Sequence, residues 1–138
     1  MQLKSIREGT WKIYAVCEEN GMCPLLEFMN QLNPKYTGAK DNVLATISKI
    51  SQTPHGPRLL STDICHFVDK DEKIWEFVGG DIRVLWFYSS KERMVIICCQ
   101  AFIKKGRKTP KGEIQKAIQI KDRYEDHAKL GRISVIKS

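Results

Sequence analysis

The sequence predicts an α+β fold in which helices pack on a small, largely antiparallel sheet, in the order β-α-α-β-β-β-α. Apolar residues keep helical spacing from Pro24 to Ser51, alternate as in strands from Lys73 to Ile103, and return to helical spacing after Pro110. Gly79-Gly80 and the run Ser89 to Glu92 are turn signals between the strand-like runs, so three strands are expected to follow one another as a meander. No internal repeat, low-complexity tract or linker divides the 138 residues, so 1–138 is expected to be one domain.

Each element has a local reason. Thr10 to Glu18 alternates, with Trp11, Ile13, Ala15 and Cys17 on one side, and reads as a first strand. Pro24 suits the first turn of a short helix carrying Leu25, Leu26, Phe28, Met29 and Leu32, which Asn33-Pro34 stops. A second helix from about Thr37 to Ser51 places Val43, Ile47 and Ile50 on one stripe. Thr53-Pro54-His55-Gly56-Pro57 must be loop. The strands Lys73 to Val78, Ile82 to Tyr88 and Met94 to Ile103 are rich in β-branched and aromatic residues. Thr109-Pro110 reads as N-cap and first residue of a last helix with Ile114, Ala117, Ile118 and Lys121 on one stripe. Gly131 ends that helix, and Arg132 to Lys137 is expected to add a short final strand. The segment Arg58 to Asp71 has no assigned structure.

Composition narrows the class of protein. A content of 42% hydrophobic and 28% charged residues is that of a soluble globular chain. The apolar stretch Met94 to Cys99 is far shorter than the ~18 residues of a membrane span. Met1 to Ser5 has no apolar run followed by small residues, so no secretory signal is expected and a cytoplasmic location is. Five cysteines without regular spacing argue against a disulfide framework and fit a reducing compartment. No C-x-x-C pair supports a metal knuckle, and no cofactor is expected.

The net charge is +7, and Lys104, Lys105, Arg107, Lys108 and Lys111 form a local cluster without an acid among them. Such a cluster attracts phosphate chains, although charge alone also describes a solvated loop. Strand alternation puts Gln100, Phe102 and Lys104 on one side of their strand, Arg83 with Leu85 and Phe87 on the next, and Glu76 with Ile74 and Val78 on the third. A Glu, an Arg and a Lys can therefore converge if the registers allow. RNA cleavage suits such a set, because the substrate's own 2′-OH is the nucleophile. The protein then has only to align the ribose, stabilise the phosphorane and assist proton transfer. Arg83 is the candidate phosphate clamp, Lys104 or Lys105 the candidate acid or base, and Phe102 a candidate platform for a base. Read more plainly, Arg83 and Glu76 form a cross-strand ion pair worth under ~1 kcal/mol, and Phe102 is core. His55, His66 and His127 have no partner at useful spacing and receive no role.

Four phrases then resemble the phage-derived, HigB-like branch of the RelE/ParE toxins. They are Ile74-Trp75-Glu76-Phe77, Asp81 to Tyr88, Ala101-Phe102-Ile103-Lys104-Lys105, and Lys108-Thr109-Pro110-x-x-Glu113-Ile114-x-x-Ala117. That branch shows "W-E-L-R", "Y-R-V-x-Y-F", "G-F-x-K-K" and "K-T-P-x-x-E-I-x-x-A" in the same order. The resemblance runs from about Phe28 to Tyr124 and is most specific from Phe102 to Ala117. It implies a RelE-like fold and the toxin of a type II toxin–antitoxin system, a ribosome-dependent mRNA endonuclease. Its partners would be the ribosome, mRNA and a helix-turn-helix antitoxin.

Carried over, Arg83 matches the arginine of the middle strand, and Lys104 and Lys105 the basic pair after the last strand. With Glu76 these are expected to be catalytic, and Gln100, Phe102, Arg107, Lys108 and Lys111 to contact RNA. The chain departs from the pattern at Val78, where the branch has Arg, at Gln100, where many members have His, and at Ala101, which replaces Gly. Two other functions stay open: a non-catalytic, ParE-like inhibitor of DNA gyrase, and an inactive phage-derived nucleic-acid-binding protein.

Overall fold

In the computed structural model, which describes residues 1–137, seven strands make one mixed sheet flanked by helices on both faces. The elements are β1 (Gln2–Glu8), β2 (Lys12–Cys17), α1 (Pro24–Asn30), α2 (Thr37–Ser51), β3 (Cys65–Asp69), β4 (Ile74–Gly79), β5 (Ile82–Tyr88), β6 (Val95–Ile103), α3 (Lys111–Lys129) and β7 (Ser134–Ile136). Their order across the sheet is β3-β4-β5-β6-β2-β1-β7.

This corrects the small, largely antiparallel RelE-like sheet and the β-α-α-β-β-β-α order expected from the sequence; the α+β class alone remains. The meander β4-β5-β6 is present, but β2 joins it through a parallel pairing with β6, and β7 runs parallel to β1. Two strands escaped notice for a physical reason. In β1 only Leu3 is buried, and in β3 only Cys65, so neither carries the full alternation of a half-buried strand. The β2–β6 pairing joins residues some eighty positions apart, and local pattern says nothing about such contacts.

The two faces have separate cores. Beneath α1 and α2 lie Trp11, Ile13, Phe77, Val84, Trp86 and Cys98; beneath α3 lie Leu3, Leu85, Phe87, Ile97, Cys99 and Phe102. Cys98 and Cys99 thus serve opposite cores, as strand alternation requires. Burial pushes the Cys98 thiol up to about 12 and the Cys99 thiol well above its ordinary range. Cys17 and Cys23 form a disulfide across the β2–α1 connection, a pairing that the odd count and irregular spacing of the cysteines did not suggest.

Local geometry fixes two turns. Gly80 takes φ +55° in the β4–β5 hairpin, whose paired ends are Gly79 and Ile82. Gly56 takes φ +57° under the indole of Trp11, where an added Cβ would collide with the ring. Trp11 Nε1 is held there by donating to the Pro54 carbonyl at 3.0 Å. Among the described residues, no helix is long and apolar enough to cross a membrane.

Candidate functional site

Glu76 sits at the middle of β4 with His66 of β3 directly opposite on one side and Leu85 of β5 on the other. Its side chain is 0% exposed, so its carboxylate depends wholly on protein partners. Oε1 lies 2.9 Å from His66 Nε2 and 3.6 Å from Arg83 Nε, and Oε2 accepts from the Thr109 hydroxyl at 2.6 Å. The other nitrogen of His66, Nδ1, lies 2.7 Å from the Thr62 carbonyl. A carbonyl only accepts, so Nδ1 is placed to donate to Thr62, and Nε2 faces the Glu76 carboxylate.

Arg83 follows from the same register. It faces Phe102 on β6 and Val78 on β4, and its side chain is 15% exposed. Nη1 donates to the carbonyls of Gly80 and Ile82, at 2.6 and 3.1 Å. Nε is buried and faces Glu76 without a hydrogen bond. Much of the guanidinium fork is thus occupied inside the protein.

Above this network runs a groove of about 360 Å³ between β3 and the loop that leads into α3. Lys104, Arg107, Lys108 and Lys111 line it with His66 and Thr109, and no acidic side chain does. The Lys104 amide donates to the Asp81 carbonyl at 2.8 Å, which extends the β5–β6 pairing and sets where the loop leaves the sheet. Thr109 then ties the far end of that loop to Glu76. Thr109 is not the helix cap expected from the sequence; Pro110 holds that position, and its carbonyl accepts from Glu113 and Ile114.

The structure divides the residues picked from the sequence. Glu76, Arg83, Gln100, Phe102 and Lys104 do share the α3 side of the sheet, because β4, β5 and β6 pair Glu76–Leu85–Gln100 and Val78–Arg83–Phe102. Lys104, Arg107, Lys108 and Lys111 reach the groove, whereas Lys105 is exposed and does not line it. Gln100 is 2% exposed and donates to the Glu113 carbonyl at 2.8 Å, so it fastens α3 to the sheet and offers no face to RNA. Phe102 is 9% exposed within the α3-side core, which withdraws it as a stacking platform.

A register shift between Leu85 and Trp86 inserts Cys99 as an extra residue and turns Gln100 toward α3. His66 is the residue that sequence reading passed over. Its signal was the short alternation of Cys65 and Phe67 against His66 and Val68, inside a segment without assigned structure. Cys65 points into the opposite core, and burial pushes its thiol up to about 12, so Cys65 and His66 are not a nucleophile and its base. Among the described residues, no group of three or more His, Cys, Asp or Glu side chains forms a metal-binding set.

No curated protein matches the chain. The family model described as phage derived protein Gp49-like (DUF891) matches residues 27–122, a span that holds Glu76, His66 and the whole groove. The chain therefore belongs to the phage-derived Gp49-like family.

Proposed function

We propose that this chain is the toxin half of a toxin–antitoxin pair and an endonuclease that cuts messenger RNA on the ribosome. The observation that carries the reading is the acid-free groove of Lys104, Arg107, Lys108 and Lys111 laid over a buried carboxylate that lies 2.9 Å from His66. Membership of the Gp49-like family supports a toxin-type role, and the resemblance of its strand and loop phrases to HigB-like toxins supports RNA as the target.

The chemistry needs no protein nucleophile. The ribose 2′ oxygen attacks the adjacent phosphorus, the bond to the 5′ oxygen breaks, and the products are a 2′,3′-cyclic phosphate and a 5′-hydroxyl end. Lys104 and Lys108 hold the non-bridging oxygens and offset the charge of the phosphorane. The 2′ proton passes to water in the groove. The His66–Glu76 pair supplies a proton to the leaving 5′ oxygen, a task suited to histidine near neutral pH. Arg83 and Thr109 position Glu76, and Glu76 positions His66.

Induction of the chain in a bacterium tests this directly. Translation arrest with new 5′-hydroxyl ends inside messages, relieved by co-expression of a helix-turn-helix antitoxin, is the expected outcome. Growth arrest with altered DNA supercoiling and intact messages would point instead to a gyrase inhibitor. Normal growth would sink both toxin readings.

A further inference from the structure

Phe67 stands where the cationic groove ends. It lines that groove and also a neighbouring hollow of about 550 Å³, whose other rings are Trp75 and Tyr88 and whose rim carries both acids, Asp71 and Glu125, and lysines, Lys73 and Lys121. Phe67 is 37% exposed, on the edge strand of the sheet. Its ring packs on Trp75 with centroids 3.8 Å apart. Trp75 stacks in turn on Trp86 at 5.4 Å, and Trp86 on Phe77 at 4.7 Å. Phe67 is the outermost ring of a ladder that reaches into the core. Such a ring is held in place before any ligand arrives, so a planar partner would lose little freedom by the protein's ordering.

We infer that Phe67 and the hollow beside it form a nucleobase subsite, in which one base of a single-stranded RNA stacks while its phosphates lie along Lys104 and Lys108. The inference rests on the RNA reading above and names the form of substrate: unpaired, with a base turned out of its stack. Two observations favour this occupant over an apolar peptide. The adjoining groove carries only positive charge among its ionised groups, which complements a phosphate chain. The hollow joins aromatic faces to hydroxyl, carboxylate and ammonium groups, a mixture that can hold a base by its ring and by the donors and acceptors of its edge. Phe102, the ring that sequence reading put forward for this task, is buried on the α3 side, whereas Phe67, stacked with Trp75 and Trp86 of the α1–α2 side, is exposed at the sheet edge where groove and hollow meet.

The test is binding of a fluorescent single-stranded oligoribonucleotide, with no cleavage required, to the wild-type chain, F67L, F67W and K108A. F67L keeps an apolar side chain against Trp75, so the fold survives, but removes the stacking face. It should weaken binding about five- to a hundredfold, while F67W restores it. The same RNA annealed into a duplex should bind F67L and wild type alike. If F67L binds the single strand as wild type does while K108A is weakened, the base subsite is wrong and the RNA reading stands. If the wild-type chain binds neither RNA, both fail.

Discussion

His66 Nε2 stands 2.9 Å from Glu76 Oε1 across a directly opposed cross-strand pair, while Nδ1 of the same ring meets the Thr62 carbonyl at 2.7 Å. An oxygen acceptor at each ring nitrogen fixes the imidazole between the Thr62 carbonyl and the Glu76 carboxylate. The loop of cations is tied to the same carboxylate through Thr109, so one buried group positions both His66 and the cationic loop of the groove.

Removal of that proton carrier is expected to act on chemistry more than on folding. In H66A, Glu76 keeps Arg83 and Thr109 as partners. Single-turnover cleavage of ribosome-bound message should slow about 100- to 10,000-fold with the melting transition little changed. Cleavage at the wild-type rate would remove His66 from the mechanism.

Glu76→Gln should act on stability. The amide keeps the shape but leaves Arg83 largely buried without its counter-charge, at a cost of about 3–5 kcal/mol. Urea unfolding measures this. An unchanged midpoint would show that the contacts of Nη1 to Gly80 and Ile82 suffice for Arg83.

Lys108 is exposed and its role is electrostatic. K108A should weaken single-stranded RNA similarly whatever the sequence, and lower the slope of log K against log salt by roughly 0.7. Titrations at several salt concentrations decide it; an unchanged slope would place the phosphate chain elsewhere.

Gly56→Ala tests the Trp11 turn. A Cβ at φ +57° is strained by itself, and it would also strike the Trp11 indole. Destabilisation of roughly 2–5 kcal/mol is expected in thermal or urea melts. A smaller loss would mean that the 53–57 loop relaxes at little cost.

Stability should also fall at high pH, and the sign follows from burial. Desolvation disfavours the charged forms of Cys65 and Cys98, raised from 9.0 to about 12, and of Tyr88, raised from 10.0 to about 12. Their contribution is complete below pH 9.0 and is lost as pH rises toward 12, because the unfolded chain releases these protons first. Urea midpoints should therefore decline above pH 9.0, and iodoacetamide should label Cys65, Cys98 and Cys99 only after unfolding. Rapid labelling of native protein at pH 8 would contradict this burial.

The sequence by itself determined the elements whose signal is local. The residues of α2 are those picked by helical spacing, and the meander from Ile74 to Ile103 follows from alternation and its glycine turn. Alternation also sorted Glu76, Arg83 and Lys104 by side within their own strands, because side-chain direction along a strand has period two, and the pairing of β4, β5 and β6 then put them on one face. Only the tertiary structure decided what these residues meet. The parallel pairing of β2 with β6 made the sheet mixed, and α3 closed over Gln100 and Phe102, turning two expected RNA contacts into packing. The edge strand β3, too weakly patterned to be seen, brought His66 to Glu76 and Phe67 to the groove. Periodicity records which way a side chain points from its own strand. Which strand lies next to it, and what then covers it, depends on contacts between residues far apart in the chain, and these leave no local trace.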